Sequence, residues 1–245
     1  MPTPLTIITG ASRGLGLAMA LQLHGAGHRL LAISRSLSAE LPAAVTQWSA
    51  DLVDAPAAAE RFEAWLREQD PAAISELSMI HNAALVHAPQ PLADVSAAEL
   101  SRGLRASLEA PLLLSAAFLR ATASWTMPRK LLFISSGLGR RGMAGTAAYC
   151  TAKAGLDNLA RALQLEEAER AHGAKVVSLA PGVIDTEMQV TMRSADPARF
   201  SSQSMFASLK SGGQLDSADQ AAAKVLRFLA RADFGANAVA DVRDA

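Results

Sequence analysis

Tyr149 and Lys153 stand four residues apart in a stretch, Ala148 to His172, whose apolar spacing predicts a helix. That spacing leaves the two side chains about 40° apart around the axis, so they project from one face. Tyr149 is the only tyrosine in the chain. A phenol with an ordinary pKa of about 10 exchanges protons poorly at neutral pH, and a neighbouring ammonium that stabilises its anion brings the exchange into range. The pair therefore suits proton transfer to or from an oxygen, against the plain alternative of two residues on a helix surface. Ser136 follows a run, Leu131 to Ile134, that predicts a strand, and strand carboxyl ends are where open α/β sheets hold ligands. Ser135 is adjacent, but successive strand side chains face opposite ways, so one serine of the two enters such a site.

A second feature lies at the other end of the chain. Gly10, Ser12, Arg13, Gly14, Leu15 and Gly16 fall directly after the β-branched run Leu5 to Thr9 and open a helical pattern, Leu15 to His24. Glycines at such a bend permit unusual backbone angles, and the helix start offers free N–H groups with partial positive charge. The ligand that fits is a pyrophosphate; a tight strand-to-helix corner is the alternative.

These groups need a scaffold to converge. Further strands are expected at Arg29 to Ile33, Val45 to Trp48, Leu77 to Ile80 and Lys175 to Leu179, with a short one near Ala238 to Val239. Helices are expected at Ala55 to Gln69, from Ser96 to about Ala123 with a capping box at Ser96 and Glu99, and at Ser217 to Ala230. Pro111 should bend the second of these. Residues 185–215 read as a polar, irregular lid. Strands alternating with helices predict a doubly wound parallel sheet of about seven strands, α/β and Rossmann-type, in a single domain over 1–245. Half of the 245 residues are apolar and only 4% aromatic, which suits an aliphatic core. Lys plus Arg and Asp plus Glu both number 23, a balance that argues against nucleic acid or an anionic lipid surface as partner. The most apolar stretch, Ala106 to Leu119, is too short and interrupted for a membrane span. Cys150, the one cysteine, permits no intrachain disulfide and no cysteine-based metal site, which together with a start that lacks signal-peptide character gives a cytoplasmic expectation.

The spacing Gly10-x3-Gly14-x-Gly16 after Thr9 resembles the short-chain dehydrogenase/reductase family, and the resemblance runs along the chain. Asp51 and Leu52 occupy the place where that family touches adenine. Asn82, Ala83 and Ala84 resemble its Asn-Ala-Gly motif, with alanine for the last glycine. Ser136, Tyr149 and Lys153 fall at its catalytic spacing, which selects Ser136 over Ser135. Pro181, Gly182, Val183, Ile184, Asp185 and Thr186 match its nicotinamide-side loop. One departure is Ser107, where the family usually carries an asparagine that supports a proton path to the lysine.

The resemblance implies a nicotinamide dinucleotide cofactor, a small-molecule carbonyl substrate and a homodimer or homotetramer packed through the helices at Ala97 to Ala123 and Ala148 to Ala171. A carboxylate at the end of the second strand would bind ribose hydroxyls and repel a 2′-phosphate. Here Ser34, Arg35 and Ser36 stand there, and Arg35, with Arg13, offers planar cations for a phosphate, so NADP (NADPH) is the expected cofactor. The residues around Ser136 and Tyr149 look most like the sepiapterin reductase and benzil reductase branch. This implies reduction of a ketone or α-diketone, with Tyr149 as proton donor, Ser136 on the carbonyl and Lys153 on the nicotinamide ribose. Open alternatives are an NAD(P)-dependent secondary-alcohol dehydrogenase of the same family and a dinucleotide-sensing protein without turnover. The pocket should be closed by His87 to Leu92, Gly137 to Gly145 and Glu187 to Leu215, with Met188, Met192, Met205, Phe200 and Phe206 either walling it or packing the lid. His81 and His87 read as structural, Cys150 as a packed thiol, and Glu166, Glu167, Glu169 and Arg170 as a solvated helix face.

Overall fold

Apolar residues on both faces of the central strands require cover on both sides of a sheet, and the chain supplies it. The computed structural model describes residues 1–244. Its strands are β1 (Thr3–Thr9), β2 (Arg29–Ser34), β3 (Thr46–Ser49), β4 (Ile74–His81), β5 (Arg129–Ile134), β6 (Lys175–Ala180) and β7 (Val239–Asp241). They form one parallel sheet in the order β3-β2-β1-β4-β5-β6-β7. Leu5, Ile7, Leu77, Leu131 and Phe133 point to one side, where they meet α2 (Ala55–Arg67), α4 (Ala110–Ala121) and α5 (Ala147–Ala168) through Phe62, Phe118 and Leu156. Ile8, Ile80, Leu132 and Val177 point to the other, onto α1 (Gly14–Gly25) and α8 (Ala218–Leu229) through Met19 and Val225. The expected doubly wound, single-domain sheet of seven strands is what forms. Thr9 pairs with Ile33 on one side and His81 on the other, so the carboxyl ends of β2, β1 and β4 are level where the strand order reverses. Open α/β sheets bind ligands at such a reversal.

Three expectations need correction. The long helix from Ser96 is not one continuous α-helix. It runs as α3 (Ala97–Leu104), a π-helical turn over Arg105–Glu109, and α4. The widened turn sets Pro111 in the first turn of α4, where its missing N–H is not needed. The segment 185–215 is not irregular, since it contains α6 (Glu187–Arg193) and α7 (Gln203–Ser211), short helices held by Met192, Phe200 and Phe206. Glu167 is not solvated: it is buried at the end of α5, accepts the Ala174 N–H at 2.9 Å and faces the buried Arg129 guanidinium at 3.7 Å. Among the described residues, no helix is long and apolar enough to cross a membrane.

Candidate active site

The turn after β1 is shaped by close backbone contact. Gly10 adopts a φ of +71°, and a Cβ on Gly16 would stand 2.1 Å from the Gly10 carbonyl oxygen. Asn82, just beyond β4, donates through Nδ2 to the carbonyls of Thr9 (3.2 Å) and Gly10 (3.1 Å). Thr9 answers by accepting the N–H groups of Asn82 and Ala83 on Oγ1, both at 3.1 Å. The Asn-Ala-Ala segment thus fastens the glycine turn. Helix α1 begins there with no side-chain cap and no acid in its first turn, leaving its N–H groups directed at the space above the sheet.

That space is a cavity of about 830 Å³ along the strand ends. Gly10, Ser12, Arg13, Gly14, Leu15 and Gly16 line it at one end, with Ser34, Arg35, Ser36, Asp51 and Leu52 beside them. Asn82, Ala83, Ala84, Ser136, Tyr149 and Lys153 line its middle, and Pro181, Gly182, Val183, Ile184 and Thr186 face them. The catalytic and cofactor-binding candidates named above, Asp185 excepted, therefore meet one cavity. Ser34 Oγ is buried there without a hydrogen-bond partner, and Arg35 is exposed with no ion-pair partner among the described residues. Uncapped N–H groups, an unpartnered hydroxyl and an unpaired arginine make this end a fit for a phosphorylated nucleotide. Arg13 differs from expectation, because its guanidinium pairs with Glu187 of α6. Both groups are mostly exposed, so the pair is weak and exchangeable. Asp51 Oδ1 accepts the Val53 N–H at 3.0 Å, which orders the loop that carries Leu52.

Tyr149 sits in the first turn of α5 and Lys153 one turn on, as the spacing requires. Lys153 is buried and donates to the Ile134 carbonyl at 2.7 Å, with Nζ 5.5 Å from the Tyr149 ring centre. Burial pulls the Lys153 pKa down to about 8, partly countered by the Asp157 carboxylate. Burial likewise pushes the Tyr149 hydroxyl up to about 12, opposed by a hydrogen bond with Ser136. Among the protein's own groups, desolvation of the phenolate dominates at Tyr149, and the Lys153 ammonium is turned to a carbonyl. Ser136 Oγ accepts the Leu138 N–H at 3.1 Å, which fixes it at the mouth of β5. Ser135 points the other way, into the protein, and donates to Asp157 at 2.6 Å. Cys150 is packed against Thr146, 3.4 Å from its hydroxyl.

The cavity wall divides the lid residues. Met188, Met192, Met205 and Phe206 face the cavity, whereas Phe200 lies inside the lid, its ring centre 5.6 Å from that of Phe206. The segment His87 to Leu92 lines an adjoining pocket that shares Leu85, Tyr149 and Met192 with this cavity. That pocket, lined by His87, Gln90 and Leu92, has a volume of about 30 Å³, and His87 Nε2 is buried without a partner. Ser107 lies in the π-helical turn and accepts the Leu85 N–H at 2.9 Å, so its hydroxyl is engaged by the backbone. His81 is structural: it is buried, stacks on Phe133 and bonds Ser115.

Sequence reasoning missed Asp157, whose partners Ser135 and Ser178 lie more than twenty residues away. The only available signal was an acid one helical turn beyond Lys153.

A model of the short chain dehydrogenase family matches residues 4–197. Benzil reductase ((S)-benzoin forming) of Bacillus subtilis is 36% identical over 92% of this chain and 93% of its own length. Sepiapterin reductase of Meriones unguiculatus is 31% identical over 97% and 95%. A short-chain dehydrogenase/reductase structure from Burkholderia vietnamiensis aligns over 100% of both chains with a TM-score of 0.66 and 29% identity.

Proposed function

We propose that this chain, which belongs to the short-chain dehydrogenase/reductase family, is an NADPH-dependent reductase of ketones and, preferentially, α-diketones. As a member of the family it is an oxidoreductase of CH–OH and C=O groups that uses a nicotinamide dinucleotide. One observation carries the finer reading: Ser136, Tyr149 and Lys153 share a single cavity with the glycine turn.

Arg35 and the absence of a carboxylate at Ser34, Arg35 and Ser36 support NADP over NAD, since an acid there would repel a 2′-phosphate. The first-turn N–H groups of α1 would take the pyrophosphate, Asp51 and Leu52 the adenine side, and Pro181 to Thr186 the nicotinamide side. When bound, the cofactor supplies hydride to the carbonyl carbon. Ser136 holds the carbonyl oxygen by hydrogen bonding, and Tyr149 delivers its proton as negative charge develops on that oxygen. A phenol held at a pKa of about 12 is protonated across the neutral range, as a proton donor to the developing alkoxide must be. Lys153 supplies positive charge beside the resulting phenolate and reaches the nicotinamide ribose. An intact set of three such groups also argues against a sensor without turnover.

The benzil reductase relative and the apolar wall of Met188, Met192, Met205 and Phe206 support a substrate with two adjacent carbonyls and apolar arms. The lid over residues 185–215 would close on it. Leu112 on α4 and Leu165 on α5 are exposed, which supports a homodimer or homotetramer through these helices. The lone cysteine suits the reducing cytoplasm.

The test is a panel of benzil, 1-phenyl-1,2-propanedione and matching monoketones, read by loss of NADPH absorbance. Diketones should exceed monoketones by about tenfold or more in kcat/KM, a difference of about 1.4 kcal/mol in barrier. No turnover of any carbonyl would refute the assignment.

A further inference from the structure

Asp157 lies one helical turn beyond Lys153, almost wholly buried, and nothing in the chemistry above uses it directly. Its Oδ1 accepts two hydroxyls, Ser135 Oγ at the end of β5 (2.6 Å) and Ser178 Oγ on β6 (2.7 Å). Its Oδ2 is buried without a hydrogen bond, and the nearest cation is Arg140 Nε at 3.6 Å. Ser135 stands between Ile134, whose carbonyl accepts Lys153 Nζ, and Ser136. A grip on Ser135 therefore fixes both the lysine's acceptor and the substrate-facing serine. We infer that Asp157 is the positioning residue of the reaction, clamping the end of β5 against α5 and so holding both the Ile134 carbonyl that takes Lys153 and the neighbouring Ser136. The inference rests on the catalytic reading of Tyr149 and Lys153.

The electrostatic surroundings are few enough to test. On α5, Tyr149 and Asp157 face Lys153. From the turn after β5 comes Arg140, which also lies 3.7 Å from Asp241 of β7, itself neutralised by Arg243. Ser178 is the uncharged contribution of β6. Asp157 raises the proton affinity of Lys153 against burial, so removing its charge lets the lysine lose its proton at lower pH.

The experiment is the pH profile of kcat/KM for a diketone at saturating NADPH. Asp157→Asn keeps the shape and a carbonyl acceptor for the serines but removes the charge. Its alkaline limb should move down by about one pH unit. Arg140→Gln, which strips a cation from Asp157 at a partly exposed position, should move the limb up. Superposable limbs for wild type and Asp157→Asn would overturn the inference. Should Asp157→Asn fail to melt cooperatively, Arg140→Gln decides, an upward limb supporting the role and an unmoved one refuting it. Tyr149→Phe separates the two levels. If that variant is inactive while the limbs stay fixed, only the role of Asp157 falls; if it remains active, the catalytic reading falls and takes this role with it.

Discussion

Gly16 and Gly10 approach so closely that a Cβ on Gly16 would lie 2.1 Å from the Gly10 carbonyl oxygen and 2.5 Å from Asn82 Nδ2. Gly16→Ala must therefore push the turn away from Asn82. Overpacking of this kind costs about 1–3 kcal/mol. The variant should melt several degrees lower and bind NADPH about tenfold more weakly or worse by calorimetric titration. Unchanged affinity would show that the turn does not cradle the cofactor.

Arg35 should read the 2′-phosphate. A charge-assisted hydrogen bond is worth about 1.5–3 kcal/mol, so Arg35→Ala should weaken NADPH binding about 10- to 100-fold and leave NADH binding nearly unchanged. Equal losses for both cofactors would remove Arg35 as the discriminating residue. Arg13→Ala should have a smaller effect, because Arg13 already shares its charge with Glu187.

Glu167 supports the fold far from the chemistry. Its carboxylate faces the buried guanidinium of Arg129 and accepts the Ala174 N–H. Glu167→Ala leaves that cation unpaired in the interior and should cost about 3–5 kcal/mol in urea unfolding. A loss under about 1 kcal/mol, the scale of an exposed pair, would contradict this account.

His81 should make the protein acid-sensitive. Burial drives its pKa from 6.5 down to about 3, so between these values the unfolded chain binds a proton that the folded chain refuses. The stability held by neutral His81 is fully present above about pH 6.5 and is lost as pH falls towards 3, at about 1.4 kcal/mol per pH unit. His81→Phe, which keeps an aromatic ring against Phe133, should flatten the slope of unfolding free energy between pH 6 and 4 by about one proton. An unaltered slope would place the sensitivity elsewhere.

Local pattern carried much of this architecture. The β-branched run before Gly10, the apolar run before Ser136, and the four-residue step from Tyr149 to Lys153 are readable because strand ends and helix faces follow from neighbouring residues. What escaped depended on partners distant in the chain. Glu167 looks solvated until Arg129 and the Ala174 N–H close over it. Asp157 looks like one more polar helix position until β5 and β6 bring Ser135 and Ser178 to it. The two lid helices are short, and their apolar residues gain a common face only by packing on Phe200 and Phe206. At Tyr149 the spacing shows the lysine but not the burial that pushes the phenol up.

The most direct measurement is turnover of a diketone by Tyr149→Phe, alongside NADPH binding to the same variant. Removal of one hydroxyl should lower kcat by about 10²- to 10⁴-fold, the usual contribution of a positioned proton donor, while cofactor affinity stays within a few-fold. Near wild-type turnover with NADPH bound would contradict the assignment of Tyr149 as the acid.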